Sequence, residues 1–412
     1  LKRYHGVEEP NYQQIKEYYD STLHPDVLDL NDAKVYKNIF HKGKFMGIFQ
    51  FTNDGAQKFC KRAKPNDIID IAAITSIYRP GPLGANVDKK YVKAKENPKD
   101  VFYANKQVKD VTKETYGFLI FQEQIASLAH QLGEDISLDE GNLLRKLLTK
   151  KGTGKGAQEK EKIRKKFVKG CVSKKMTEEQ ANGLWNNFEY FSGYGFNKSH
   201  AVSYSILSFQ CAWLLNYYPA EWMAAFLDKE PDSRKEKAIG VAKSMGFKIE
   251  PLNVNTSGKV WEISDDGKTL IQPLTSIKGL GSSAMDQILE HRPFNKIEEF
   301  LFHDDVVYSK LNKKALDVLC QAGALSTLQD DRFTGEKHFW TCVAVDRPRK
   351  PQNLIENIEK YAPEGDFSVE EKIESLTALT GVFPIRMIVS EETQKNLMES
   401  GVPPISEFDK DL

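Results

Sequence analysis

The sequence predicts a predominantly α, multi-domain fold with small β elements, on three observations. Apolar residues recur at helical spacing through most of the stretch from Ile48 to Tyr218. Clusters such as RPGPLG and SGYG punctuate that stretch, and strand-like signals are confined to FKIEPLNVN and KVWEISDDGKTLI with its DDG turn. A chain of 412 residues has room for two or three domains with substantial cores, and 40% hydrophobic against 28% charged residues is the balance of a globular protein. No run of 18 apolar residues occurs, so no membrane partner is expected.

In chain order, residues 1–47 read as a helix pair, with turns at Gly6, at His24-Pro25 and near Gly43. Within it LNDAKVYKNIF places apolar residues after an Asn31 N-cap. Residues 48–228 form the main helical domain. Its clearest helix is expected over positions 199–217, where Val202, Ile206, Phe209, Cys211, Trp213 and Leu214 are spaced to bury one broad face and Pro219 ends it. AEWMAAFL comes next as a short apolar helix. A composition shift from Asp228 to Lys237 opens a third region, 229–330, in which the strand patch is succeeded by short helices and glycine turns. Residues 331–412 form an acidic C-terminal segment, with a linker from Arg347 to Pro351 and an acidic helix in SVEEKIESLTALTGVF.

The formal net charge of zero hides a local asymmetry. Between Arg145 and Lys175, 13 lysines and arginines face two glutamates, a balance of +11 that would attract phosphates; from Gln352 to Leu412, 13 acidic residues face five basic ones, a balance of −8. The five cysteines are odd in number and widely spaced, without a C-x-x-C pair, and the eight histidines form no sequence motif of metal ligands. Reduced thiols are expected, with neither a zinc site nor a disulfide framework. The first residues, LKRYHGVEEP, lack an apolar signal core, which points to the cytoplasm, and lack an initiator Met, which points to a chain cut from something longer.

The segment FEYFSGYGFNKSHAVSY (Phe188 to Tyr204) concentrates glycines, aromatics, an amide, a lysine and a histidine before a long helix. Gly193 and Gly195 would let the backbone bend so that Asn197, Lys198 and His200 project from a helix start suited to a phosphate; the alternative is a helix corner with Ser199 as an ordinary N-cap. Arg79 in YRPGPL sits on a proline-stiffened loop, which suits either phosphate recognition or a surface ion pair. In LLRKLLTKKGTGKG, Lys146 and Lys150 share a helix face and can address one anion, unless the run is only solvated. GTGKG fails as a phosphate-binding loop for nucleotide hydrolysis, because Gly156 stands where Ser or Thr is required and position 149 is not glycine. Further on, SIKGLGSSAMDQILEHR has the I-x-G-h-G-x-x-A spacing of a helix-hairpin-helix. Gly279 and Gly281 would turn backbone amides toward a DNA phosphate, and Ala284 would let helices approach closely. LNKKALDVLCQAGALSTL repeats the pattern around Gly323.

Five blocks occur in the order expected of one family. IFQFTNDGAQKFCKRAKP, SIYRPGPL, TYGFLIFQEQIASLA, LLRKLLTKK and GYGFNKSH resemble the VFQ-E-S-x-GM, L-x-RPGPL, TYGI-x-x-YQEQVM, LRRAM-x-KK and AGYGFNKSH blocks of the catalytic alpha subunit of bacterial DNA polymerase III, the family C replicative polymerases. The resemblance runs from about Phe49 to Leu328 and implies a fingers domain over residues 48–228 and a helix-hairpin-helix region over 229–330. It implies that Arg145, Lys146, Lys150 and Lys151 reach the triphosphate of an incoming deoxynucleotide, with Arg79 on that nucleotide or the template backbone. Asn197, Lys198 and His200 would line the nucleotide pocket, with His200 nearest the sugar. Lys278, Gly279, Gly281, Lys310, Lys313 and Lys314 are the expected DNA contacts. Gln122, Glu123 and Gln124 are assigned a supporting role.

Template-directed synthesis uses two metal ions about 4 Å apart on carboxylates. The family's P-D-x-D-x-D-F and D-F-L-G blocks do not occur in this sequence, and Leu1-Lys2 could be the residues immediately after a D-F-L-G block. Asp265-Asp266 and Asp304-Asp305 read as turns rather than metal ligands. The expectation is a chain that grips dNTP and primer-template DNA, with Mg²⁺ held by palm carboxylates on a missing or separate polypeptide and other replisome subunits as further partners. A non-enzymatic DNA-binding module that keeps the scaffold is the alternative. The setting would be a bacterial cell, or a host cell if the chain is virus-encoded.

Overall fold

The structure is a computed structural model that describes residues 1–149, 155–192, 195–305, 307, 309–361, 365–381, 383, 384, 387–389, 392, 393, 396 and 400. It divides into two compact units, Leu1–Tyr218 and Pro219–Leu412. Among the described residues 21 α-helices and one three-stranded sheet are present, as the apolar periodicity predicted. None of these helices is long and apolar enough to cross a membrane.

The first unit contains α1 (Lys2–His5), α2 (Tyr12–Thr22), α3 (Ala33–Val35, continued by a π turn Tyr36–His41), α4 (Asp54–Ala63), α5 (Ile68–Ile77), α6 (Pro80–Gly84) and α7 (Val87–Glu96). Next come α8 (Lys106–Thr112), α9 (Gln122–Leu132), α10 (Leu138–Thr149), α11 (Lys155–Ser173), α12 (Glu178–Ser192) and α13 (Lys198–Tyr217). Turns fall at Gly6 and Gly43, with φ of 66° and 74°, where a side chain would be strained. The N-cap of α3 is Asp32, whose carboxylate accepts from the Lys34 amide, so the expected cap at Asn31 is one residue early.

The buried face of α13 differs from the expected one. Ala201, Ser205, Ser208, Phe209, Ala212 and Leu215 are buried, whereas Val202, Ile206, Trp213 and Leu214 are only half-buried. The cause is its partner, α5, which is rich in small and apolar residues and is packed directly against α13. Close approach selects small side chains, and the serine hydroxyls are satisfied: Ser205 Oγ donates to the Ala201 carbonyl one turn back at 2.7 Å, and Ser208 Oγ to the carbonyl of the distant Phe49 at 2.8 Å. A second core joins α9 to α12 through Leu128, Leu132, Leu144, Phe167, Trp185 and Phe188. Its crossings are tight, since a Cβ on Gly141 would lie 2.6 Å from the Ala126 carbonyl oxygen.

Beneath α5 lies a buried polar cluster. Lys95 Nζ donates to Asp70 Oδ2 at 2.5 Å with side-chain exposures of 8% and 2%, and Tyr91, Tyr116 and the Asn66 amide donate to the same carboxylate. Burial pushes the Lys95 ammonium down in pKa, but its bonds to Asp70 and Tyr116 outweigh this and leave it raised.

The second unit begins with α14 (Pro219–Lys229) and α15 (Asp232–Ser244), then β1 (Lys248–Glu250), β2 (Glu262–Ile263) and β3 (Thr269–Ile271). The sheet order is β1-β3-β2, with β1 parallel and β2 antiparallel to β3, which places a small sheet where the strand signals predicted one. Then come α16 (Ser282–His291), α17 (Ile297–Phe302), α18 (Lys313–Gln321), α19 (Glu336–Trp340), α20 (Pro351–Lys360) and α21 (Val369–Thr380). Leu274, Ile288, Phe300, Leu316, Leu325 and Cys342 belong to one core that joins α16 to α20.

Candidate nucleotide and DNA interface

In the first unit, short backbone bonds bring two distant sequence blocks together. The Gln122 amide donates to the Phe196 carbonyl at 2.9 Å and the Phe196 amide to the Ile120 carbonyl at 3.0 Å, a parallel bridge between the QEQ and GFNKSH segments. Gln122 Nε2 also donates to the Gly195 carbonyl at 2.8 Å. The requirement for glycine at 195 is close approach rather than a left-handed backbone, because a Cβ there would meet Gln122 Cγ at 3.1 Å and the Phe191 carbonyl oxygen at 3.2 Å. Gly193 lies outside the described residues.

Glu123 organises the junction. Asn197 Nδ2 donates to Oε1 and the Lys198 amide to Oε2, both at 2.9 Å, and Arg145 Nη1 lies 3.6 Å from Oε1. Arg145 Nη1 also donates to Gln122 Oε1 at 3.3 Å. Asn197, not Ser199, is the N-cap of α13: its Oδ1 accepts from the His200 amide at 2.9 Å and from Ser199 Oγ at 2.7 Å. Lys198 Nζ donates to Glu114 Oε1 at 2.6 Å. Two of the residues expected to project toward a ligand are therefore engaged within the protein. The polar interruption Gln122-Glu123-Gln124 in an apolar stretch was the sequence signal for this junction; Glu114 had none.

His200 is exposed and belongs to a run of ring contacts. Its imidazole lies 4.2 Å from the Tyr204 ring and 5.3 Å from that of Phe196, Tyr204 lies 5.2 Å from Phe49, and the Arg79 guanidinium lies 4.0 Å above the Phe196 ring. Phe49 and Tyr204 are each 37% exposed, so the run faces solvent. Arg79 is exposed at the N-cap position of α6. Thus Arg79, Phe196, His200, Tyr204 and Phe49 form a continuous ladder of planar groups drawn from separate sequence blocks. Lys146 is exposed on α10, adjacent to Arg145. Lys150 and Lys151 lie outside the described residues. A cavity of about 320 Å³ lined by Val87, Lys90, Val108, Leu184 and Tyr190 contains none of the residues predicted from sequence.

In the second unit the hairpin has the expected turn. Gly279 adopts φ +89°, which only glycine takes readily; Gly281 is the N-cap of α16 and is exposed, and Ala284 is 2% exposed in the core. Lys278 and Lys314 gather at the turn, where a Cβ on Gly279 would lie 3.5 Å from Lys314 Cε. Lys310 is exposed in the preceding turn, and Lys313 and Lys314 occupy the first turn of α18 behind the Asn312 cap. The turn also carries a bond to another helix of the unit, and one expected feature comes out differently. The Lys278 amide donates to the Leu379 carbonyl at 2.8 Å, so the end of acidic α21 occupies one of the hairpin's amides. Gly323, with φ 70°, terminates α18 through the Ala324 amide bond to Leu319 and leads into a short 3₁₀ turn (Ser326–Leu328), so the pattern around it ends a helix rather than joining two.

Asp266 is a turn residue, as its sequence context suggested. Its carboxylate accepts from Ser264 Oγ, the Lys268 and Thr269 amides and Thr269 Oγ1, and these bonds, Ser264 foremost, hold its pKa well below the usual carboxylate range.

A helical domain built on the RPGPL, QEQ and GFNKSH blocks, with a glycine-turn helical module after it, defines the class: polymerase fingers followed by helix-hairpin-helix. Residues 10–175 match the bacterial DNA polymerase III alpha subunit finger domain, and residues 246–334 match a helix-hairpin-helix motif. Among related proteins, the DNA polymerase III subunit alpha of Xylella fastidiosa (strain Temecula1 / ATCC 700964) is 34% identical over 312 residues, covering 74% of this chain and 25% of that protein. That of Aquifex aeolicus (strain VF5) is 33% identical over 370 residues, covering 89% and 30%, and that of Thermus aquaticus 35% over 329 residues, covering 77% and 26%. The chain belongs to the bacterial DNA polymerase III alpha subunit family and spans a quarter to three tenths of the length of these relatives.

Proposed function

We propose that this chain holds the incoming deoxynucleoside triphosphate and the primer-template during DNA synthesis, with Mg²⁺-dependent phosphoryl transfer performed by palm carboxylates on a missing or separate polypeptide. The observation that carries this reading is the exposed ladder from Arg79 through Phe196, His200 and Tyr204 to Phe49. Such a face stacks bases without reading their sequence, as a template-directed enzyme requires. Arg145 and Lys146 supply adjacent positive charge, and Lys150 and Lys151 extend it in sequence. In the second unit, Lys313 and Lys314 occupy a helix N-terminus, where the dipole disfavours cations; a bound phosphate would offset that cost, which suits a role on the duplex backbone together with Lys278, Gly279, Gly281 and Lys310. The cytoplasm is the setting this role requires, with other replisome subunits as partners.

Binding of labelled dNTP to the full chain with primer-template DNA tests the reading. Arg145→Ala should weaken dNTP binding about tenfold to a hundredfold, the range expected for a lost charge-assisted hydrogen bond. Unchanged dNTP affinity in Arg145→Ala and in Arg79→Ala would refute it.

A further inference from the structure

The second unit brings together three metal-ligating side chains that are scattered in the sequence. His291 ends α16, while His303 and Asp305 lie just beyond α17. The two imidazoles are stacked with ring centroids 4.8 Å apart and planes 25° apart, and one donor atom from each of His291, His303 and Asp305 lies within 4.8 Å of the others. Among the described residues this is the only group of three or more His, Cys, Asp or Glu with metal-ligand proximity.

A second observation points to a ligand. His291 Nε2 is buried yet has no hydrogen-bond partner, and its side chain is only 12% exposed. A buried ring nitrogen without a partner costs free energy that a metal bond would recover. Glu290 Oε2 lies 4.0 Å from that nitrogen and Asp305 Oδ2 lies 3.9 Å from His303 Nδ1, so negative charge is already placed around the pair. The Asp305 amide donates to His303 Nδ1 at 3.3 Å, so Nδ1 holds the lone pair of the neutral ring; this nitrogen, 3.9 Å from Asp305 Oδ2, is the one that would coordinate, in place of that long bond.

The geometry points to a binding site for a divalent late first-row cation, Zn²⁺ by its ligand set, formed by His291, His303 and Asp305. Two imidazoles and one carboxylate suit Zn²⁺, whereas Mg²⁺ prefers oxygen ligands throughout. A fourth position falls to water or Glu290. Tetrahedral coordination at about 2.0–2.2 Å needs the donor atoms drawn together by rotation of side chains at the ends of two helices. The bound ion would join the end of α16, the helix that the DNA-binding turn opens, to the end of α17.

The test is titration of the chelator-stripped full chain with Zn²⁺ by calorimetry, and with Co²⁺ by optical absorption, on the natural protein and on His303→Gln and Asp305→Asn. Circular dichroism establishes that the variants are folded. One equivalent of Zn²⁺ should bind, with affinity reduced in each variant by more than the about 10–100-fold that loss of an outer-shell partner costs. The cobalt spectrum should lack a thiolate charge-transfer band. No binding by the natural protein, equal binding by folded variants, or a thiolate band that assigns the ion to cysteine would each overturn the proposal.

Discussion

Replacing Glu123 by alanine tests whether the junction between the QEQ block and the start of α13 is as the geometry requires. The carboxylate accepts from Asn197 Nδ2 and from the Lys198 amide at 2.9 Å, and Arg145 lies 3.6 Å away. A hydrogen bond to a charged group contributes about 1.5–3 kcal/mol, but Glu123 is 39% exposed, so water replaces part of each bond. A loss of about 1 kcal/mol per bond, or about 2 kcal/mol in all, is the expected cost. For a cooperative unit of this size, Leu1–Tyr218, that corresponds to a Tm lower by about 4–8 °C. Calorimetry gives the shift, and amide hydrogen exchange gives its location, since the Lys198 amide loses its acceptor and should exchange faster. Glu123→Gln keeps one acceptor and should lose about half as much. A Tm change below about 1 °C in Glu123→Ala, with Lys198 exchange unaltered, would refute the reasoning.

Two further outcomes rest on the charged groups. Lys95→Met leaves Asp70 buried without its cation, which costs about 3–5 kcal/mol for such pairs; the three donors that remain, from Tyr91, Tyr116 and Asn66, place the value at the lower end, and Asp70→Asn in the same chain should recover part of it, as urea unfolding would show. In the second unit, Ser264 depresses the pKa of Asp266, Arg332 those of Glu298 and Asp330, and Tyr361 that of Asp346. A carboxylate whose folded pKa lies below its unfolded value contributes stability that is present above the unfolded pKa and lost as pH falls through the folded one, so this unit should lose Tm below about pH 4, and an unchanged or rising Tm between about pH 5 and 3 would contradict these assignments.

Helix content, the Gly6 and Gly43 turns, the strand patch and the Gly279 turn were legible because each rests on local chemistry: periodicity, a positive φ or a turn signal. The buried face of α13 was not, because the choice between Val202 or Ile206 and Ala201 or Ser205 is made by the small side chains of α5, a partner far away in sequence. Asp70 and Lys95 look like ordinary surface charges in sequence and become a pair only when α5 and α7 pack. At the site, residue type alone did not reveal that Asn197 caps a helix and Lys198 pairs with Glu114, nor that Phe49, Phe196 and Tyr204 line up with Arg79 and His200 in one ladder. Aromatic residues at helical spacing do not reveal which of them face solvent.

Primer extension with Mg²⁺ and deoxynucleotides, by the chain alone and mixed with a polypeptide carrying the family's palm carboxylates, tests the central claim most directly. Activity only in the mixture, reduced in Arg145→Ala and lost in Lys150→Ala and Lys151→Ala, is the predicted result. Extension by this chain alone would contradict the assignment of the metal site to another polypeptide, and DNA binding without extension in a properly assembled mixture would contradict the polymerase role itself.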